Sequence, residues 1–291
     1  MSNVKTRPLY RRKLMSLFLT SIVTMGGFGA FFAFILSIAH KKLRVEVDPR
    51  EEQVLNALPG ANCGACGFAS CRALAEAIVK GDAPVNSCVA GGSEVAEKIS
   101  RLMGVGSVTV QKKLAFVHCG AQSEQRTKKA IYQGVKSCRA ASIVMGADTA
   151  CPYGCIGFGD CEVACPFNAI KMVGGLPQID LNKCTGCGNC VNVCPRSIIS
   201  LESFDDINYK VACSSLDKGK KARQVCQKAC IACGLCEKFC PFDACEVKNN
   251  LAHIDPRNCQ KCGICAAVCP TNAIVQINLL FEVKVGSALD I

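Results

Sequence analysis

Four segments of the chain end in the same Cys-Pro phrase, and this repeat constrains the fold more than any other feature. The segments are CEVACPFNAI (161–170), CVNVCPRSII (190–199), CEKFCPFDAC (236–245) and CAAVCPTNAI (265–274). The cysteines that precede the prolines lie 29, 46 and 29 residues apart. This unequal spacing predicts two copies of a paired unit rather than four equal repeats.

The cysteines are better explained as metal ligands than as disulfide partners. The chain has 291 residues and 25 cysteines, and an odd number leaves at least one thiol unpaired. Thiols three positions apart on a tight loop are poorly placed to bridge one another, and a chain of this length can fold without disulfides. Reduced thiolate ligands imply a compartment that keeps cysteine reduced, such as the cytosol.

The spacing within the runs favours iron-sulfur clusters over zinc. In CIACGLCEKFCP (230–241), four cysteines are separated by two, two and three residues and are followed by proline. Bacterial two-cluster ferredoxins use this run, and its fourth cysteine ligates the cluster of the other run. Zinc is the alternative metal. Zinc-ribbon sites combine one CxxC pair with a second, distant CxxC pair and do not use a third cysteine close to the first two.

This exchange of the fourth cysteine predicts four ligand sets. Within each pair of runs, Gly174-Gly175 or Asn249-Asn250 predicts the turn of a small β-hairpin. The run that begins at Cys151 is looser, because its gaps are three, five and three residues. The predicted sets are Cys230, Cys233, Cys236 and Cys269; Cys259, Cys262, Cys265 and Cys240; Cys184, Cys187, Cys190 and Cys165; and Cys151, Cys155, Cys161 and Cys194.

A further four-cysteine motif lies nearer the N-terminus. The stretch GANCGACGFASCRALAEAIVKGDAPVNSC has three close thiols and a remote one, which suits a 4Fe-4S cluster. Asp48-Pro49 predicts the start of a helix that ends near Leu58, and the apolar spacing after the third cysteine predicts a second helix. The predicted ligands are Cys63, Cys66, Cys71 and Cys88.

Five cysteines fall outside these motifs. Cys245 occupies the position that isoleucine takes in the other three repeats, and we interpret it as a small buried apolar residue. We hypothesise that the other four share a sixth cluster, and unligated core thiols are the alternative. These four are Cys119, Cys138, Cys213 and Cys226. We therefore expect five or six [4Fe-4S] clusters as cofactors.

One stretch, SLFLTSIVTMGGFGAFFAFILSIA (16–39), runs for 24 residues without a charge. At about 1.5 Å per residue it is long enough to cross a bilayer as a helix. A cleaved signal peptide would have a shorter apolar run and a small-x-small cleavage site, which does not precede the basic HKKLR. Flanking charges lean weakly towards a cytoplasmic N-terminus. Thiolate-bound cofactors belong on the reducing side, however, so we expect a single-pass protein of the inner (cytoplasmic) membrane with its iron-sulfur domains in the cytoplasm.

Together these features predict an α+β chain: one transmembrane helix, a small helical four-cysteine domain and two tandem bacterial-type two-cluster ferredoxin units. The net charge of +11 comes mostly from residues 1–44, which hold 8 Lys and Arg and no acid, so no nucleic-acid partner is indicated. The predicted parts are a membrane anchor at 1–45, the four-cysteine domain at 46–100, a connecting region at 101–150, ferredoxin unit 1 at 151–212, a linker with ferredoxin unit 2 at 213–275 and a tail at 276–291.

The N-terminal span, the motif GANCGACGFASCRALAEAI with its remote Cys88 and the ferredoxin runs together resemble the B subunit of the Rnf ion-translocating electron transport complex, in an extended form with two ferredoxin units. The resemblance covers nearly the whole chain. It implies an electron-transfer subunit that acts between ferredoxin and partner redox subunits, in ferredoxin:NAD oxidoreduction coupled to Na+ or H+ translocation. It also implies other Rnf subunits, soluble ferredoxin and the membrane as partners.

The chain carries no motif for bond-making chemistry. It has no glycine-rich dinucleotide loop after a predicted strand, and one span cannot form an ion path. We therefore expect no catalytic residue and no cofactor beyond the clusters, with the nicotinamide site, flavins and pore in partner subunits. His40, His118 and His253 have no second ligand at metal spacing and are interpreted as structural. The main alternative is a membrane-anchored polyferredoxin of a different dehydrogenase or hydrogenase, and a purely structural metal-binding protein is the third reading.

Overall fold

The computed structural model describes residues 7–43, 48–106, 110–203 and 209–277. The chain divides into two compact parts, Met1–Asp48 and Pro49–Ile291. Most of the predicted tail at 276–291 lies outside the described residues.

The first part contains the helix α1 (Arg7–Leu43). Its stretch Met15–Lys42 is long and apolar enough to cross a membrane. The side chains of Phe18, Phe28 and Leu36 are each about two-thirds exposed, as expected for a helix whose apolar surface faces lipid. Hydroxyl groups along the helix, such as those of Thr20 and Thr24, donate to carbonyl oxygens of the preceding turn and so are satisfied without water. The apolar helix predicted at 16–39 is confirmed.

Three short helices form the start of the second part. They are α2 (Pro49–Ala57), α3 (Cys71–Lys80) and α4 (Gly92–Met103). Their apolar faces enclose a small core that includes Val54, Leu74 and Ile99. The Ser70 hydroxyl caps α3 by accepting from the Ala73 N–H, and Gly81 ends it with a positive φ of 84°. Both helices predicted around the cysteine loop are confirmed, and together they fix the ends of that loop.

After these helices, the described strands form two-stranded antiparallel sheets. Each of the two central hairpins turns through a dipeptide with positive φ at both positions, Gly174-Gly175 (56° and 71°) and Asn249-Asn250 (52° and 62°). Both predicted hairpins are therefore confirmed, with the turn geometry that suits a right-handed strand twist. The pairs are β1 (Lys113–Val117) with β4 (Ile199–Ser203), β2 (Ile170–Val173) with β3 (Leu176–Ile179), β5 (Tyr209–Val211) with β8 (Ile274–Gln276), and β6 (Cys245–Lys248) with β7 (Leu251–Ile254).

This pairing defines two ferredoxin units with the same plan. Unit 1 (113–203) and unit 2 (209–277) each consist of a first strand, a cysteine run, a hairpin, a second run and a last strand that pairs back onto the first. Strand β1 thus comes from the segment interpreted as a connecting region at 101–150. Strand β5 pairs within unit 2, although the spacing of the runs places residues 209–211 at the end of unit 1. Cross-strand pairing over more than 60 residues leaves no local signal, which explains both differences.

Each Cys-Pro run folds as a loop followed by a single helical turn. A glycine with positive φ precedes each turn, for example Gly234 (74°) and Gly263 (78°), and lets the loop reverse into the helix. The run helices are α6 (Asp160–Val163), α7 (Asn189–Val193), α9 (Leu235–Lys238) and α10 (Ile264–Ala267); α5 (Cys138–Ile143) and α8 (Gly219–Val225) are additional, as is a 3-10 turn at Ser123–Gln125. Four of the ten buried core residues of unit 1 and four of the eight of unit 2 are cysteines, so bound ligands would contribute to holding each unit together.

Candidate iron-sulfur sites

The four cysteines of the N-terminal motif converge between α2 and α4. Cys63 and Cys66 lie in the loop before α3, Cys71 begins that helix, and Cys88 is buried before α4. The Asn62 side chain closes the loop by accepting from the Cys71 N–H at 2.8 Å. Burial raises the pKa of the Cys88 thiol, and negative charge on the other three cysteines adds to the rise. The structure therefore brings together the whole predicted set.

In unit 2, one cavity is lined by three cysteines of the first run and by the Cys-Pro cysteine of the second. These are Cys230, Cys233, Cys236 and Cys269. Burial raises the pKa of the Cys236 thiol to about 11, and charge on the other three cysteines adds to this effect. This is the set that the exchange of the fourth cysteine predicts.

The other set of unit 2 lies around α10. Cys259 and Cys262 precede the helix and Cys265 is buried within it. Cys240 and Cys265 both contact the thiol of Cys245, which is 5% exposed at the start of β6. The interpretation of Cys245 as a buried residue is confirmed, and its position next to two predicted ligands is a feature that the sequence did not indicate.

In unit 1, the second run forms a similar group. Burial raises the pKa of the Cys187 thiol, and charge on Cys63, Cys165 and Cys184 raises it further. Burial raises the pKa of Cys190 to about 12, with additional effects from Cys184, Cys187 and Cys161. The predicted set of Cys165, Cys184, Cys187 and Cys190 is therefore brought together, with Cys63 on one side and Cys161 on the other.

The first run of unit 1 differs from its predicted set. One cavity is lined by Cys138, Cys155, Cys161 and Cys194, while Cys151 lines a different cavity. Helix α5 delivers Cys138 to this cavity because Asp160, next to Cys161, accepts hydrogen bonds from the Ser137 hydroxyl and from the Cys138 and Arg139 N–H groups. The set that combines Cys151 with Cys155, Cys161 and Cys194 is corrected accordingly.

An alignment of the two units explains this correction. Cys155 and Cys161 are six positions apart, as are Cys230 and Cys236, so the intermediate ligand position of Cys233 corresponds to Phe158. Because phenylalanine cannot ligate iron, the missing thiol has to come from elsewhere in the chain. Alignment of the runs on their Cys-Pro ends could have revealed the gap, and the fold places Cys138 beside the other three cysteines.

A fourth cavity is lined by four cysteines, Cys119, Cys151, Cys213 and Cys226. Three members of this set were hypothesised to share a cluster with Cys138. The structure instead places Cys138 with unit 1 and Cys151 here.

Models of two families match the chain. An Fe-S cluster model matches residues 58–90, and a 4Fe-4S dicluster domain model matches residues 154–198, 183–244 and 229–273. The B subunit of the Na+-translocating ferredoxin:NAD+ oxidoreductase complex of Acetobacterium woodii is 44% identical over 83% of this chain and 73% of its own length. The B subunit of an ion-translocating oxidoreductase complex of Methanosarcina acetivorans is 41% identical over 83% of this chain and 92% of its own. The B subunit of the proton-translocating ferredoxin:NAD+ oxidoreductase complex of Clostridium ljungdahlii is 40% identical over 80% and 83%.

The chain belongs to the family of Rnf complex B subunits. The resemblance inferred from the span, the four-cysteine motif and the ferredoxin runs is thus confirmed, as are the α+β fold class and the 4Fe-4S cofactors. The membrane association of the family agrees with the apolar helix α1.

The spacing of the thiols in this Rnf protein suits clusters rather than single ions. Among the described residues, no three His, Cys, Asp or Glu side chains converge closely enough to hold one metal ion. A tetrahedral zinc site would place four sulfur atoms about 2.3 Å from one centre. Three groups of four cysteines instead line cavities, which leave room between the thiols for a group of several atoms.

Backbone N–H groups point at the sulfur atoms of three of the four Cys-Pro cysteines. Cys165, Cys240 and Cys269 each accept from the alanine four residues ahead, at 3.3, 3.4 and 3.3 Å. Such bonds stabilise negative charge on a ligand sulfur and are one way in which a protein sets the reduction potential of a cluster. The same geometry recurs because the proline and the turn after it fix the backbone.

Proposed function

We propose that this chain is the membrane-anchored electron-transfer subunit of an Rnf complex. It passes electrons between ferredoxin and partner redox subunits, in ferredoxin:NAD oxidoreduction coupled to Na+ or H+ translocation. The observation that carries the proposal is the succession of cysteine sets, in which Cys63 neighbours Cys187 and Cys190 neighbours Cys161. Clusters bound in such a series supply one-electron transfer. Relatives named for sodium and for proton translocation support both coupling ions as candidates.

We propose five ligand sets, which the positions of the cysteines support. The sets combine cysteines that lie together in the folded chain, except that Cys259 and Cys262 are assigned by the spacing of their run. They are Cys63, Cys66, Cys71 and Cys88; Cys165, Cys184, Cys187 and Cys190; Cys138, Cys155, Cys161 and Cys194; Cys230, Cys233, Cys236 and Cys269; and Cys240, Cys259, Cys262 and Cys265.

Soluble ferredoxin is proposed to meet the complex at unit 2. Cys233 and Cys262 are the exposed cysteines of the chain, whereas the others are buried or half-buried. Phe239 and Ile264 are exposed next to these runs, and the Lys238 ammonium lies 5.9 Å from the Phe239 ring. Exposed ligands shorten the path of an electron to the surface, and a lysine there attracts an acidic partner.

The iron-sulfur domains are proposed to lie on the cytoplasmic side. All 25 cysteines follow α1, and the thiols are free in the fold rather than paired in disulfides. Thiolate ligands persist where the compartment is reducing. A cysteine introduced at an exposed position such as Lys98 tests the assignment, because it can be treated with a membrane-impermeant thiol reagent in intact cells. Labelling before the cells are opened would contradict it.

The deciding experiment is anaerobic purification of the full chain in mild detergent. We expect multi-span, flavin-bearing subunits to co-purify, and about 20 or more iron and as many acid-labile sulfides per chain. A co-purifying hydrogenase or a different dehydrogenase would favour the alternative polyferredoxin function. Zinc without sulfide would contradict electron transfer.

Docking at unit 2 is tested separately with reduced ferredoxin. Its electrons should bleach the cluster absorbance, and Lys238→Glu should slow the bleaching at low ionic strength because it reverses a surface charge. Lys98→Glu, an exposed lysine of α4, is the matched control. If Lys98→Glu slows the reaction and Lys238→Glu does not, ferredoxin docks elsewhere.

A further inference from the structure

Four cysteines from four separate segments meet between the two ferredoxin units. Cys119 follows β1 and Cys213 follows β5, while Cys151 and Cys226 precede the first cysteine run of each unit. All four line one cavity, and Cys119, Cys151 and Cys226 are less than a tenth exposed. The dicluster matches begin at residue 154 and so leave out Cys119 and Cys151. The family matches therefore give these four thiols no common site.

The four cysteines occupy equivalent positions in the two units. The first strand of each unit ends in Val-x-Cys, with Cys119 in unit 1 and Cys213 in unit 2. The first run of each unit begins with Cys-x3-Cys, so Cys151 corresponds to Cys226. Each unit therefore contributes the same two thiols. This internal symmetry accounts for the place of Cys151 in this set, because its counterpart Cys226 also stands four residues before the first ligand of its run.

The sulfur atoms of the two strand-end cysteines, Cys119 and Cys213, accept hydrogen bonds from backbone N–H groups, as three of the four Cys-Pro sulfurs do. Cys119 Sγ accepts from the Cys155 N–H at 3.5 Å, and Cys213 Sγ accepts from the Cys230 N–H at 3.3 Å. Cys213 Sγ also accepts from the Ser215 N–H at 3.5 Å. Buried unligated thiols have little need for such donors, whereas thiolates of a cluster are stabilised by them.

Space and charge at the site fit the same group. A Cβ atom at Gly154 would lie 3.4 Å from Cys151 Sγ and 3.9 Å from Cys119 Sγ, so both sulfurs flank the same gap. A cubane with four thiolates carries a charge of about −2 and needs compensation when buried. Arg126, which is 7% exposed, lines the cavity and pairs its backbone with Cys226.

We propose that Cys119, Cys151, Cys213 and Cys226 ligate a sixth [4Fe-4S] cluster that joins unit 1 to unit 2. Two of its ligand sulfurs contact neighbouring sites: Cys119 Sγ accepts from the N–H of Cys155, a proposed ligand in unit 1, and Cys213 Sγ accepts from the N–H of Cys230, a proposed ligand in unit 2. The ligand assignment is independent of partners, whereas the bridging role rests on the proposed electron-transfer function. In that role one cluster is oxidised as the next is reduced, and no bond is made or broken. The six sites then form one series from the four-cysteine domain to the second site of unit 2.

Paired substitutions in the full chain distinguish this set from the one that spacing alone suggests. With six clusters the wild-type chain holds about 24 iron. Cys119→Ala with Cys151→Ala removes ligands of one proposed cluster, so iron should fall to about 20. Cys119→Ala with Cys138→Ala removes ligands of two clusters, so iron should fall to about 16. Cys245→Ala, which changes a buried thiol outside all six sets, is the control and should retain about 24.

The reverse result, with about 16 iron for the first pair and about 20 for the second, would overturn the assignment in favour of the set with Cys138. Full iron retention in the first pair would show that the cavity holds no cluster. If the alanine variants lose all iron by misfolding, Cys213→Ser decides, because serine oxygen can keep a cluster in place. It should alter the EPR signal or potential of one cluster, and an unchanged titration would overturn the proposal. Iron content does not depend on ferredoxin, so the ligand assignment can be disproved while the proposed function stands.

Discussion

Unit 1 and unit 2 share one order of strands and cysteine runs. They differ in which segments supply their proposed ligands and in how exposed those cysteines are. Unit 2 takes both of its sets from its own two runs and leaves Cys233 and Cys262 exposed. Unit 1 has Phe158 at the position of Cys233 and takes Cys138 from the segment between β1 and its first run. We propose from this comparison that a ferredoxin unit can lose a local ligand when another segment of the chain supplies a substitute.

The same segment covers unit 1. Gln122 and Ser123 lie on the hairpin turn at Gly174-Gly175. A Cβ atom added at Gly174 would be 3.0 Å from the Gln122 side chain, and one added at Gly175 would clash with Ser123 Oγ. The equivalent turn of unit 2, Asn249-Asn250, is exposed. Arg126 of the covering segment donates to the Gly175 carbonyl at 2.9 Å and to the Cys155 carbonyl. In the proposed electron path, unit 1 would therefore be an internal segment and unit 2 a surface segment.

The largest expected effect is the loss of a cluster when the borrowed ligand is removed. Cys138→Ala should lower iron by about four per chain, since one of four ligands is lost. Adding Phe158→Cys to this variant restores a thiol at the position that Cys233 holds in unit 2, and should recover most of the iron. Iron and sulfide analysis of the three proteins measures both effects.

The control for this rescue is Phe158→Cys alone, which should leave the iron content unchanged. The Phe158 ring lies 5.5 Å from that of Tyr132, so its removal costs some packing but no ligand. If Cys138→Ala retains all its iron, the borrowed-ligand description of unit 1 is wrong.

These differences mark what the sequence could and could not predict. The hairpins and the helices beside the four-cysteine loop depend on local spacing and lie where that spacing predicts. Cys269 lies beside the first run of unit 2, as the predicted exchange requires. Cys138 and Cys151 differ because both belong to a segment whose course is set by tertiary contacts, such as those of Asp160 with the start of α5. Strand β1 was missed for the same reason. Two comparisons within the sequence could have separated the sets: that of Cys151-x3-Cys155 with Cys226-x3-Cys230, and that of Phe158 with Cys233.

The second prediction concerns the covered turn. Gly175→Ala would place a Cβ atom against Ser123 at a φ of +71°, and should destabilise the protein by about 1–3 kcal/mol. Asn249→Gly, at the corresponding exposed turn of unit 2, requires no new space and should change stability by less than about 1 kcal/mol. The midpoint of thermal cluster bleaching should fall by several degrees in the first variant only. Equal shifts would show that the covering segment does not pack on the turn.

The third prediction concerns the buried cation of unit 1. Arg126→Met should lower the reduction potential of neighbouring clusters by tens of millivolts, roughly, because an adjacent positive charge favours the reduced, more negative state. Arg126→Lys keeps the charge and should restore part of the shift. Arg257→Met, at an exposed arginine of unit 2, should have no measurable effect. EPR-monitored redox titration distinguishes these outcomes, and equal potentials in the Arg126→Met and wild-type proteins would contradict the role of the cation.

The smallest effect on stability is expected from removal of an ion pair between the two units. Glu202 at the end of β4 and Lys210 on β5 form an ion pair at 3.2 Å, and Glu202 also accepts from the Ser200 hydroxyl at 2.7 Å. Although partial burial opposes ionisation, the bonds from Ser200 and Lys210 lower the pKa of the Glu202 carboxyl overall. A lowered folded-state pKa contributes stability that is present above the unfolded value of about 4.3 and is lost as the pH falls through the lowered one.

Glu202→Gln should therefore reduce stability by about 1 kcal/mol or less at pH 7, and the difference from wild type should shrink below about pH 4.3. Glu246→Gln, in an exposed pair within unit 2, is the matched control and should have a smaller effect at every pH. Denaturant-induced unfolding of the two variants and the wild type measures this. A penalty for Glu202→Gln that grows as the pH falls would reverse the sign expected from the lowered pKa, and would show that the pair does not hold unit 1 to unit 2.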